Sequence, residues 1–134
     1  MAQQLFVNLP VKNLQRSIAF FTELGYSFNA QFTDENATCM IIGENLFAML
    51  LVEDYFKTFI KKPVADARRS AEMILALSVE SRAAVDDLVK KAVAAGAATP
   101  VEPKDYGFMY QHGYEDLDGH LWEVFYMDPN ARPS

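Results

Sequence analysis

Two hydrophobic periods run along the chain, and they occur twice in the same order. "LFVNLPV", Leu5 to Val11, is rich in β-branched and aromatic residues and predicts a buried strand, with Pro10 near its end, where a missing N–H does least harm. Leu14, Ile18, Phe21 and their neighbours Phe20 and Leu24 then recur at helical spacing. Asn13 is a good N-cap and Gly25 can accept a left-handed backbone, so a helix is expected over Leu14 to Leu24. Three strand-like runs follow, "YSFNAQFT", "ATCMII" and "LFAMLLV", separated by the turn-forming "DEN" and "GEN".

From Tyr55 to Arg69 the periodicity weakens: "YFKTFI" suggests a short helix and "KKPVADARRS" a connection. The pattern then restarts. "MILALSV", Met73 to Val79, predicts a strand; Ser81 can cap a helix whose apolar stripe is Val85, Leu88, Val89 and Ala92, ending at Gly96. A short run near Ala98 to Val101, then "YGFMYQHGY" and "HLWEVFYM", complete a second set of three strands.

Strand, helix, strand, strand, strand, repeated, is a duplication of structure with little identity between the halves. The pattern predicts one α+β domain over residues 1–134, made of βαβββ modules at 4–53 and 71–128 joined by a segment at 54–70. A four-stranded unit alone leaves one sheet face uncovered. Helices on the outside and mixed sheets curving around a shared cavity would resolve that, and such a hollow is where a small molecule is best held.

Composition narrows the partners. A formal net charge of -6 and a pI near 4.8 disfavour a phosphate-binding surface, and Lys61-Lys62, Arg68-Arg69 and Lys90-Lys91 are short clusters best read as solvated charge. No nucleic-acid partner is expected. Cys39 is the single cysteine, so no internal disulfide can form and a reducing cytoplasm fits best. No stretch approaches the roughly 20 apolar residues of a membrane span, so no membrane role is expected.

The candidate chemistry gathers at "EDLDGHLWEVF". Asp118-Gly119 is a hairpin dipeptide, so a strand should follow, on which Leu121, Glu123 and Phe125 share one face and Trp122, Val124 and Tyr126 the other. Trp122 and Val124 suit the covering helix, which leaves Glu123 pointing into the hollow. A carboxylate among apolar neighbours costs free energy unless paired, protonated, hydrogen-bonded or metal-bound, which makes Glu123 the leading catalytic or binding candidate.

His120 stands an odd number of positions from Glu123 and so faces away; a turn or surface role suits it better. On "FMYQHGY", Tyr110 and His112 share a face that forms a ring-rich pocket wall if it looks inward and an edge of no consequence if it looks outward. Cys39 reads as a small buried hydrophobe. No glycine-rich phosphate loop, nucleophile elbow or HExxH motif occurs.

The duplicated modules, "VNLPVKNLQRSIAFFTELGYSF" near the start and "EDLDGHLWEVF" near the end resemble the glyoxalase / bleomycin-resistance / extradiol-dioxygenase (vicinal oxygen chelate) superfamily. "FTDENATCM", "FAMLLVEDYF" and "PKDYGFMYQHGYEDLDGH" look like its bacterial subgroup of predicted lactoylglutathione lyases. The resemblance implies a glyoxalase-like fold over nearly the whole chain. It also implies a divalent ion held by four inward His, Gln or Glu side chains from the first and last strands of each module.

Matched residue by residue, those slots fall on Phe6, on Leu50 (with Met49 or Leu51 as alternatives), on Ile74 and on Glu123. Only Glu123 is a ligand type, and a catalytic zinc normally needs three protein ligands. No metal or other cofactor is therefore expected. Asn8 shares the face of Phe6, and Ala76 and Ser78 that of Ile74, which outlines an apolar pocket with a few polar groups.

Two functional expectations follow. In the first, the protein is a small-organic-molecule binder that has lost the standard metal site, a homodimer by default because two-fold dimers are the commonest homo-oligomers. In the second, it is an enzyme of the lactoylglutathione-lyase (lyase/isomerase) or dioxygenase-like type, with Glu123 as general base or remaining ligand and Asn8, a Tyr or His112 stabilising an enolate.

Overall fold

The computed structural model describes residues 1–130. The chain divides into two compact units between Ala65 and Asp66, inside the connecting segment expected from the sequence. The first unit contains β1 (Leu5–Val11), α1 (Leu14–Glu23), β2 (Ser27–Asn29), β3 (Ala37–Gly43), β4 (Leu46–Val52) and the short α2 (Glu53–Phe56). The second contains β5 (Ile74–Ser78), α3 (Arg82–Ala94), β6 (Lys104–Asp105), β7 (Met109–Glu115) and β8 (Leu121–Met127). This is the α+β, twice-repeated βαβββ arrangement that the periodicity predicts.

The duplication extends to topology. The first sheet has the order β1-β4-β3-β2 and the second β5-β8-β7-β6. In each, the opening strand lies parallel to the closing strand, and the remaining pairs are antiparallel. Pro10 is tolerated because β1 is an edge strand, where a missing donor removes little pairing.

Local chemistry sets the helix ends. The Asn13 side chain accepts the Arg16 N–H at 3.0 Å and the Ser81 side chain accepts the Ala84 N–H at 3.0 Å, each satisfying a first-turn donor that has no helical partner.

In the first unit, α1 packs on β4. Leu9, Val11, Met40, Ala48 and Leu50 are buried together with Leu14, Phe20 and Phe21 of α1. The alternate positions of the same strands, Phe6, Asn8, Phe47 and Met49, face the other way and keep access to solvent. Phe6 and Phe47, in register, stack at 4.7 Å between ring centroids.

In the second unit, α3 packs on β7 and β8, and Val85, Val89 and Ala92 are buried with Tyr114, Trp122 and Val124. Tyr114 and Trp122 are register partners and lie stacked with centroids 6.3 Å apart.

Two strands differ from expectation. β2 ends at Asn29 because the Asn29 side chain accepts the Gln31 N–H at 3.0 Å, turning Ala30–Phe32 into a single 3-10 turn. The strand expected at Ala98 to Val101 is an isolated bridge from Ala98 to Glu115; the paired strand is β6, beyond Pro100 and Pro103. Prolines have no N–H to give a ladder, so pairing resumes only after them.

Candidate functional site

The face of the second sheet opposite α3 is built in rows. Parallel pairing of β5 with β8 sets Ile74 beside Leu121, Ala76 beside Glu123 and Ser78 beside Phe125. Antiparallel pairing of β7 with β8 adds Glu115 to the first row, Gly113 to the second and Gln111 to the third, and β6 adds Lys104 beside Gln111. Residues paired across strands share a face. Glu123 therefore has a methyl group on one side and no side chain on the other.

Gly113 is required there for a second reason. A Cβ at this position would lie 2.7 Å from the Trp122 carbonyl oxygen, so any other residue would push the central strands apart. The same absence of a side chain leaves the space beside Glu123 open. A hollow of about 180 Å³ lies over this row, bounded by Ile74, Val101, Glu102, Lys104, Gln111, Leu121 and Glu123 among others. Glu123 is half-buried, whereas Glu102 and Lys104 are exposed at the rim. No hydrogen bond or ion pair from another described residue reaches the Glu123 carboxylate.

The turn before β8 fixes this geometry, and Asp116 holds the turn. Asp116 is buried. Its Oδ1 accepts the N–H groups of Asp118 (2.9 Å) and His120 (3.0 Å), and its Oδ2 accepts the Trp122 indole N–H at 2.9 Å. Burial pushes its carboxyl pKa up, against the opposing pull of His120 and of these donors. The backbone N–H of Asp116 donates to the His120 carbonyl at 2.9 Å, closing the loop.

At the tip, Gly119 has φ of +92° and lies so close to Ala67 and Arg68 that a Cβ would fall 2.6 Å from the Arg68 nitrogen. The Arg68 guanidinium donates to the Leu117 carbonyl, securing the tip to the Asp66–Ser70 turn.

The other expected site residues are distributed as follows. Ile74, Ala76, Ser78, Glu123 and Phe125 share the open face of the second sheet. Tyr110 and His112 do not: they pair with Tyr126 and Val124, on the side covered by α3. The Tyr110 hydroxyl donates to Asp86 of α3 at 2.5 Å, a bond that raises the phenol pKa, and the Arg82 guanidinium lies 5.5 Å over the Tyr110 ring while also pairing with Asp105 at 2.8 Å. The strand position of His112 directs its ring to that side, and its Nδ1 accepts the Gly113 N–H at 2.8 Å. Tyr110 thus belongs to the α3 side of the sheet and not to the pocket wall, whereas His112 borders the hollow although its strand position points its ring toward α3.

In the first unit, Phe6 and Asn8 stand on the open face, Phe6 46% exposed. Leu50 corrects the expected slot: it is fully buried against the α1 side, and its neighbour Met49, in register with Asn8, is the open-face residue. The slots implied by the resemblance are then Phe6, Met49, Ile74 and Glu123, three apolar side chains and one carboxylate. A four-ligand divalent site does not fit these residues. No three His, Cys, Asp or Glu side chains among the described residues are grouped to hold an ion. Two site residues that sequence reasoning missed, Gln111 and Asp116, are found by counting register across the five-residue loop 116–120.

The comparisons with known proteins agree with this architecture. Residues 3–43 match the family of bleomycin resistance protein-like N-terminal domains. A hypothetical protein from S. aureus superposes with a TM-score of 0.79 at 28% identity, covering 94% of this chain and 95% of its own. The N-terminal match and the folds of the structural relatives support the glyoxalase / bleomycin-resistance / dioxygenase superfamily. Further proteins with the same fold include a glyoxalase-related enzyme from Fulvimarina pelagi (TM-score 0.79, 21% identity, 93% and 88% of the two chains). Another is a genomically encoded fosfomycin resistance protein from Listeria monocytogenes (TM-score 0.69, 18% identity, 98% and 96%). No curated protein matches the chain by sequence. No helix of the described residues is long and apolar enough to cross a membrane.

Proposed function

We propose that this superfamily member binds a small, largely apolar organic molecule in the hollow of its second module, oriented by Glu123, without the divalent ion of the standard four-ligand set. The observation that carries the reading is the row Ala76–Glu123–Gly113: a single carboxylate with a methyl group on one side and open space on the other, among Ile74, Leu121 and Val101. Apolar walls with a few fixed polar groups are how proteins hold small ligands, the walls supplying affinity and the polar groups orientation. Gln111 and Lys104, in the adjoining row, supply further polar contacts at the mouth.

A thermal-shift screen of small aromatic and amphipathic compounds, with chelator present throughout, tests the reading. Hits that stabilise the wild type and lose their effect in Glu123→Gln support it. A screen without hits, in a protein whose hollow is filled by its own side chains in a crystal structure, overturns it.

The second reading is an enzyme of the lactoylglutathione-lyase or dioxygenase-like type. It is favoured by the same open space beside Glu123, which would admit a substrate C–H to within reach of a general base. Turnover of a hemithioacetal substrate, abolished in Glu123→Gln, would establish it. The reading further takes the protein to be a homodimer in a reducing cytoplasm, on the general prevalence of two-fold dimers and the unpaired Cys39, whose thiol pKa burial pushes up. Sedimentation measurements test the oligomeric state.

A further inference from the structure

The charge and shape of the hollow restrict what it can hold, given the binding reading above. Besides His112 and Tyr114, whose strand positions point toward α3, three charged side chains bound it: Glu123, Glu102 and Lys104. Glu102 and Lys104 are exposed, opposite in sign, and screened by water, so their fields largely offset. Glu123 is different. It is half-buried, its register neighbours Ala76 and Gly113 have no donor to offer, and no described residue bonds its carboxylate.

A carboxylate is acceptor-only and has room for several donors. A neutral apolar ligand seated over it would strip its water and return nothing, leaving a buried unsatisfied acceptor. An anion would meet both that carboxylate and the field of a chain with a net charge of -6. A cation recovers the lost hydration as a charge-assisted hydrogen bond, which is stronger than one between neutral groups.

Size sets the body of the ligand. The hollow measures about 180 Å³, similar to an apolar cavity of about 150 Å³ that takes up benzene. Ile74, Leu121, Val101 and Pro100 would flank such a ring. We infer that the hollow is a site for an organic cation: a single-ring or comparably small apolar body carrying a protonated amine or amidine, with the positive group against Glu123 and Gln111.

Three ring compounds of nearly equal shape separate charge from shape: benzamidine (cation), benzamide (neutral) and benzoate (anion). Each is titrated into isotopically labelled wild-type protein and Glu123→Gln, following the backbone amide resonances of Ile74, Gly113, Leu121 and Glu123. Benzamidine is expected to bind at least tenfold more tightly than either analogue, a preference that falls to under threefold in Glu123→Gln. Well-dispersed spectra of the variant establish that it is folded. If Glu123→Gln does not fold, the salt dependence of wild-type binding serves instead, only the benzamidine affinity falling as ionic strength rises.

Equal affinity for benzamide or benzoate, a preference that survives Glu123→Gln, or a salt-independent benzamidine affinity overturns the inference while leaving the binding reading intact. No shift at these four amides with any of the three compounds overturns both.

Discussion

Removing the Asp116 carboxylate tests how the turn holds the site. In Asp116→Ala the N–H groups of Asp118 and His120 and the indole N–H of Trp122 lose their acceptors at 2.9, 3.0 and 2.9 Å. Trp122 is buried, and depriving a buried donor of this bond costs about 1–3 kcal/mol. The two loop donors are closer to water, and each bond contributes about 0.5–1 kcal/mol. Deletion also relieves the burial of the carboxylate itself, an offset on the order of 1 kcal/mol.

The net loss is about 2–3 kcal/mol, and at about 3–4 °C per kcal/mol for a chain of this size the melting temperature falls by roughly 6–12 °C. Urea unfolding followed by the fluorescence of Trp122, the only tryptophan, measures it. A loss below about 0.5 kcal/mol, the usual range of an inconsequential surface change, would refute the claim that Asp116 holds the turn.

The carboxyl titration gives a second readout with a definite sign. Because burial raises the Asp116 pKa in the folded protein, its contribution to stability is present below the ordinary carboxylate range and is lost as pH rises through the raised value. Wild type should therefore gain stability relative to Asp116→Asn on acidification, and the opposite trend would contradict the assigned cause.

Gly113→Ala places a Cβ 2.7 Å from the Trp122 carbonyl, so it should cost about 1–3 kcal/mol in thermal unfolding and weaken any ligand bound beside Glu123. Leu50→Ala, in the core beneath α1, should cost about 2–5 kcal/mol, and Met49→Ala on the open face under about 2 kcal/mol; equal losses would mean that the faces of β4 are wrongly assigned. Tyr110→Phe removes the bond to Asp86 on an exposed surface and should change stability by no more than about 1 kcal/mol, with ligand binding unchanged. Loss of binding in Tyr110→Phe would return Tyr110 to the pocket.

The fold was legible because its information is local. Helical stripes, strand runs and the caps Asn13, Ser81 and Gly25 each announce themselves within a dozen residues, and their repetition specifies the modules. Orientation was harder. In "LFAMLLV" every residue is apolar, so nothing in the run separates Leu50, which faces α1, from its alternatives Met49 and Leu51, and only the pairing of Met49 with Asn8 settles the open-face residue.

For β7 the uncertainty lay in the turn. A two-residue hairpin at Asp118-Gly119 would set Tyr110 and His112 on the face of Glu123. The loop 116–120 held by Asp116 pairs Glu115 with Leu121 and turns every β7 side chain to the opposite face. Asp116 itself carries no motif, and its role emerges only once Trp122 is brought within 2.9 Å. Glu123 was legible because strand alternation from Trp122 and Val124 needs no register across the turn.

The divalent-metal content of protein purified without chelator, with Glu123→Gln prepared in parallel, tests the central claim most directly. With Phe6, Met49 and Ile74 in the remaining slots, the account predicts far less than one ion per chain in both proteins and ligand binding unaffected by chelator. One zinc, nickel, manganese or iron ion per chain in the wild type, lost in Glu123→Gln, would contradict it.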